Sequence, residues 1–444
     1  MWCRLSALVL RTGYLWAACA ATVLALPAGA DPADGDEFTT LKGHGGPVMA
    51  LAVSPEGQVA TGSFDNAVGL WRDRTPRWLE AHDAAVTALA FVDAGRLVTA
   101  GDDFALYLWP KGGQQAELIG RHLGKIRALA IAPDREMLVS ASWDGNIGLW
   151  PFDGGAEQRI AVGSGINDVA IGPGGAIYAA TMEGQILVYE DAGQPPRRLV
   201  DQGFGINQLA LGPGGDWLAY GAVDGATRVV DTQTGEPLAD FTLERRPILA
   251  MAHHEGTARL AVGDGQGYIM MVDTETWRIS ADFRATRDGP VWALEFAPDG
   301  QTIWAAGLDD LAYGWPVALM GEAEAQMAGN RGFLKDPETM PNGERQFMRK
   351  CSICHALGPG ESRKAGPSLY DVFGRPAGTL AGYRYSQVLD GSDIIWGEAT
   401  IDALFDLGPD HYIPGSKMPM QRITDPQDRR DLIAFLKRAT KVEK

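Results

Sequence analysis

Two thiols and an imidazole stand together at Cys351-Ser352-Ile353-Cys354-His355. A CxxC spacing alone serves zinc sites, dithiol redox centres and haem attachment alike. The histidine that follows at once narrows the choice. Two thiols one helical turn apart reach the two vinyl groups of one porphyrin edge, and the next residue offers an imidazole to the iron. The chain has only four cysteines, and the other two, Cys3 and Cys19, lie within the first thirty residues. No second thiol pair is available to complete a zinc site. The expectation is one covalently attached haem c, held by Cys351 and Cys354 with His355 as an iron ligand.

The other histidines point elsewhere. His44, His82 and His122 recur at one position of a repeated unit, which marks them as turn-bracing residues. His253-His254 is the more tempting metal pair, but it falls where the turn of its unit is expected, and adjacent turn residues rarely face one ion.

A chain of 444 residues that is 45% apolar exceeds one compact core, so two globular domains are expected. A fixed period organises the first. Segments ending at Trp71, Trp109, Trp150, Tyr189, Val230, Val272 and Trp315 lie 38, 41, 39, 41, 42 and 43 residues apart. Within a unit, an alternating apolar run such as Val48 to Val53 meets a Pro/Gly turn, a small-residue strand, an acidic turn and a terminal strand. Three or four short strands per unit predict a propeller blade. Repeats stop at Trp315; residues 321–342 read as a polar, turn-rich linker, with a second domain over 343–444.

Arg4 and Arg11, the apolar stretch from Gly13 to Leu26 and the Ala28-Gly29-Ala30 pattern predict a secretory signal over 1–30 and an exported, periplasmic protein. The stretch is short for a retained anchor, and no later segment could span a bilayer. The net charge of -17 opposes binding to nucleic acid or anionic lipid. That charge is unevenly placed. Residues 31–330 carry 20 Lys and Arg against 41 Asp and Glu, whereas 331–444 carry 17 against 15. Such asymmetry suits a basic redox partner protein, or the basic face of the second domain itself.

With Gly43-His44, His82, His122 and the aspartates 65, 103, 144, 224 and 309, each six residues before a terminal position, the units resemble WD repeats. The resemblance implies a seven-bladed all-β propeller over 31–320, each Asp bracing the turn between second and third strands. Glu183 and Gln266 replace that Asp in units four and six, so those turns need another brace. The strand Phe38 to Leu41 lacks a blade and unit seven lacks an outer strand, which implies that the two complete each other.

The second domain carries Gly343-Glu344, Phe347, Gly366-Pro367-Ser368-Leu369, Phe373-Gly374-Arg375, Gly382-Tyr383-Arg384-Tyr385, Trp396-Gly397-Glu398 and Pro414-Gly415-Ser416-Lys417-Met418 in order around the thiol motif. In this it resembles mitochondrial-type cytochrome c and implies an all-α class I cytochrome c domain. The resemblance makes Met418 the second iron ligand, ahead of Met420. It has the Pro367 carbonyl accept from His355, and Arg375, Tyr385 and Trp396 donate to the haem propionates. Leu404-Phe405 depart from it, standing where a haem-facing Tyr is common.

Together these features predict an exported single-electron carrier whose propeller docks a redox partner. Two other readings are a bifunctional oxidoreductase with a substrate or second cofactor in the propeller, and a haem-based sensor or scaffold.

Overall fold

A computed structural model of the chain describes residues 39–320 and 340–441, apart from 114, 243–246, 288, 353, 360–363, 391, 419 and 420. The signal-like segment, most of the 321–342 linker, Phe38 and Met420 lie outside the described residues.

Small residues dictate how the first domain is built. Its second strands are the most deeply buried, and Val59–Ser63, Leu97–Gly101 (LVTAG) and Ile177–Thr181 are buried at every position. They can lie there because the innermost strand of the next blade packs directly on their backbone. A Cβ at Gly221, on the second strand of the fifth blade, would stand 2.2 Å from Cγ2 of Ile248, on the innermost strand of the sixth. Alternation of apolar residues then fills the space between blades. The result is seven four-stranded antiparallel sheets following one another in chain order. The seventh is completed from the other end of the repeat array. Thr39–Lys42 pairs with Leu311–Pro316, Thr39 opposite Gly314 and Lys42 opposite Leu311, giving that sheet one strand from the start of the chain and three from the end of the repeats. Leu41, on this closing strand, is 1% exposed.

Each of the first three blades is pinned by one buried relay. In blade one, His44 Nδ1 lies 3.0 Å from Asp65 Oδ2, His44 Nε2 lies 2.7 Å from Thr61 Oγ1, and Trp71 Nε1 donates to the same hydroxyl at 2.8 Å. The relay recurs as Asp103, His82, Thr99 and Trp109, and again as Asp144, His122, Ser140 and Trp150. Because a carboxylate only accepts, Nδ1 carries the proton and Nε2 accepts from the hydroxyl. Blades four and six use substitutes. The Gln185 amide donates to Thr181 Oγ1 at 2.9 Å, and the Gln266 and Tyr268 amides both donate to Asp264.

One expectation is corrected here. His253-His254 is not the turn of unit six: the strand Ile248–His254 runs through both, and a short 3-10 turn, Glu255–Thr257, follows. Their rings part company, as strand alternation requires. His253 packs edge-on against Trp217, while His254 Nδ1 meets Thr257 Oγ1 at 2.9 Å and Nε2 meets the Pro298 carbonyl at 3.1 Å.

Among the described residues, four helices build the second domain: α1 (Asn342–Lys350), α2 (Glu398–Leu407), α3 (Pro409–Tyr412) and α4 (Pro426–Ala439). Asp425 caps α4 by accepting from the Gln427 amide at 2.7 Å, with Pro426 in the first turn. α1 crosses α4 at Gly343, where a Cβ would meet the Asp431 carbonyl oxygen at 2.0 Å. One turn on, the Phe347 and Phe435 rings lie 5.5 Å apart. None of the described helices is long and apolar enough to cross a membrane.

Two stability measurements check this picture. Leu41→Ala should cost about 3 kcal/mol in urea unfolding, since it removes a buried side chain from the strand that closes the ring. Asp144→Ala should cost about 2 kcal/mol, because His122 and the Leu123 and Asn146 amides lose their acceptor. Burial alone would raise the Asp144 carboxyl, but these donors outweigh it and hold it below its ordinary 3.8. Its contribution is therefore full above that value and lost as pH falls through the lowered one. The Asp144→Ala penalty should shrink accordingly in acid.

Candidate functional site

The C-terminal turn of α1 sets the site. The Cys351 amide closes the helix by donating to the Phe347 carbonyl at 2.8 Å, and the Cys351 carbonyl then accepts from the Cys354 amide at 3.1 Å and the His355 amide at 2.8 Å. That continuing turn places both thiols and the imidazole on one wall. The loop after it bends back tightly. A Cβ at Gly366 would stand 2.4 Å from His355 Cε1, so only glycine leaves the ring its place. The next residue fixes the ring's orientation, His355 Nδ1 donating to the Pro367 carbonyl at 2.8 Å.

A cavity of about 380 Å³ opens in front of this wall, and Cys351, Cys354, His355, Pro367, Arg375, Tyr385, Trp396 and Met418 all line it. Met418 comes from the loop after α3, and Leu404 and Phe405 of α2 are buried against the same space. Arg375 reaches it with two N–H groups already given to the Ser368 and Tyr370 carbonyls, at 2.8 and 2.9 Å. Its guanidinium has five donors, so three remain for other acceptors.

The electrostatics suit a neutral imidazole facing an apolar space. Burial pulls His355 below its ordinary value, against the pull of the Pro367 carbonyl, so the ring is uncharged near neutrality and Nε2 keeps its lone pair. Burial, and secondarily Cys354, pushes the Cys351 thiol up to about 12. Tyr383, tied to the Ala365 carbonyl at 2.6 Å, is likewise pushed up to about 12 by burial. Tyr385 is raised by burial, with the Leu380 amide acting in the opposite sense.

The cavity also fits haem on a test independent of the motif. Ser386 Oγ, Ser416 Oγ and Gln421 Oε1 are buried and meet no partner among the described residues, and all three residues line this space. Buried polar atoms of this kind call for a bound polar group, which the propionates of haem supply.

Comparison with known proteins agrees with the geometry. The sequence model of the family described as cytochrome c matches residues 341–440. The cytochrome c of Sesamum indicum is 45% identical over 106 residues, covering 23% of this chain and 93% of that protein. That of Gossypium barbadense is 47% identical over 100 residues, 22% of this chain and 87% of that protein. That of Chlamydomonas reinhardtii is 42% identical over 101 residues, 23% of this chain and 88% of its own length. The chain belongs to the cytochrome c family. Its C-terminal domain is a haem electron carrier, and the chain binds haem c covalently. Residues 35–72, 74–110 and 113–151 match the model described as WD domain, G-beta repeat, and the remaining blades continue the same fold to complete a seven-bladed propeller.

The sequence pattern brought eight residues to this cytochrome c cavity, and the structure adds others. Ser386 and Gln421 carried no signal beyond being polar in a loop, and Ser416 stood in the 414–418 motif with no role of its own assigned. More unexpectedly, Phe64, Asn66, Asp83, Ala85, Asp102 and Lys125 of the propeller line the same cavity. Nothing in their spacing ties them to residues some 300 positions away; only the charge asymmetry between the two halves hints at the contact.

Replacing Cys351 and Cys354 together by Ala should leave no haem attached after acid extraction. The helical domain of that variant should also become protease-sensitive, because its core is arranged around the cavity.

Proposed function

We propose that this protein is an exported single-electron carrier, with His355 and Met418 as the two iron ligands and the propeller as the platform that holds its redox partner. The observation that carries the reading is the convergence of both thiols, a neutral imidazole oriented through Nδ1 and a thioether on one apolar cavity. When bound there, haem supplies an iron that takes up and gives back one electron, and methionine with histidine favours the ferrous state.

The residues of the chain do the rest. His355 is held in one tautomer by Pro367, which aims its second nitrogen at the cavity. Leu404, Phe405 and Ile401 exclude water from it. Arg375, Tyr385 and Trp396 offer donors for propionates, so that two carboxylates can sit in a space of low dielectric. Export follows from Ala28-Gly29-Ala30 and the apolar run before it, and suits a covalent haem. The acidic propeller favours a basic partner. The carrier reading is preferred to an oxidoreductase with a second centre in the propeller because His253 and His254 are engaged with Trp217, Thr257 and Pro298 on separate faces.

Met418→Ala tests the ligand assignment. The variant should keep its covalent haem but lose the sulfur-to-iron charge-transfer band of the ferric protein. Retention of that band would transfer the role to another methionine, with Met420 the first to replace.

A further inference from the structure

One propeller residue reaches across to the mouth of the haem cavity from both sides. Asp83 lies in the loop that enters the second blade, between strands Thr75–Leu79 and Val86–Phe91. Its Oδ1 accepts from Arg384 Nη2 at 2.7 Å and from Lys417 Nζ at 3.0 Å. Arg384 Nη2 also donates to the neighbouring His82 carbonyl at 3.0 Å. These two cations flank the site: Lys417 directly precedes Met418, and Arg384 sits between Tyr383 and Tyr385, all three of which line the cavity. Phe64 and Ala85 add apolar surface beside Asp83, so the propeller closes part of the cavity wall.

We propose that the propeller is the outer wall of the haem crevice, latched there by Asp83, and that it thereby selects which redox partners reach the haem. This rests on the reading that the cavity holds haem. Two features make the wall removable. The ion pairs are half-exposed, with side-chain exposures of 52% for Asp83, 64% for Arg384 and 31% for Lys417, so solvent and salt weaken them. Both also converge on one carboxylate oxygen, so a partner that offers Arg384 and Lys417 a better acidic site displaces the whole contact at once. A partner carrying a carboxylate cluster therefore gains access to the haem edge, whereas a neutral or basic surface meets Asp83 still in place. A redox partner held by the propeller through basic groups would then reach the haem only where it also presents such a carboxylate cluster to Arg384 and Lys417, and the protein would distinguish docking from electron exchange.

Zero-length cross-linking of the full haem-loaded protein tests this directly. A water-soluble carbodiimide joins a carboxylate to an amine in contact with it, forming an amide with loss of one water that the reagent takes up as its urea. At low salt, peptide mass spectrometry should find Asp83 joined to Lys417, and Asp83→Asn treated in parallel should lack that peptide. The bond removes one carboxylate and one ammonium, so net charge is unchanged. Oxidation of the reduced protein by ferricyanide, one electron per haem, should then become biphasic. The slow phase should be slower by roughly fivefold, the range that weak ion pairs leave for opening, and its amplitude should equal the cross-linked fraction. Absence of the Asp83–Lys417 amide at low salt would overturn the latch, and cross-linked protein reacting at the rate of untreated protein would overturn the wall. Haem content and complete oxidation of untreated protein report separately on the haem reading itself.

Discussion

The helical domain depends on a cavity that its own side chains do not fill. The described helices, one of them a single turn, and the loops between them line about 380 Å³ with Leu404, Phe405, Ile401, Leu436 and Trp396. Left without a group to pack against, that apolar lining would stand open to water. The bound porphyrin is thus structural before it is functional. Anchoring it through Cys351 and Cys354 keeps it from leaving, and the tight crossing at Gly343 brings α1 and α4 close enough to seal one edge. Orientation of His355 by Pro367 is then a consequence of how the loop folds back over Gly366.

The propeller obeys a different constraint, the removal of sheet edges. Its first and last strands are equivalent to neighbours inside a blade only because Thr39–Lys42 zips against Leu311–Pro316. A ring closed this way holds its loops in fixed positions, and that rigidity lets one of them, carrying Asp83, face a second domain at a defined place. An acidic rigid surface beside a basic crevice rim joins two folds that share no core.

How much of this could be read in the residues follows from what fixes each feature. Covalent chemistry sets the Cys351, Cys354 and His355 spacing, so the cofactor is legible without any fold. Closure and repetition made the seven blades and the unpaired N-terminal strand legible too. The brace behind each turn was only half visible. Asp65 and His44 announce themselves by recurrence, but Thr61, which links that pair to Trp71, is one more small residue in a small-residue strand. His253-His254 misled because a turn was expected by analogy with the Ser-Pro of other units, whereas the pair extends the strand and the reversal moves to Glu255–Thr257. Contacts between domains were legible only as a charge asymmetry between the two halves; which residues make them was not, since no periodicity relates Asp83 to Arg384 and Lys417.

The central claim is that the chain carries one haem and exchanges one electron through it. Spectroelectrochemical titration of the purified full-length protein addresses it most directly. A single reversible wave with a one-electron slope, accounting for one covalent haem per chain, is the predicted result. A second chromophore, a two-electron slope or a wave that fails to retrace on reoxidation would contradict the account.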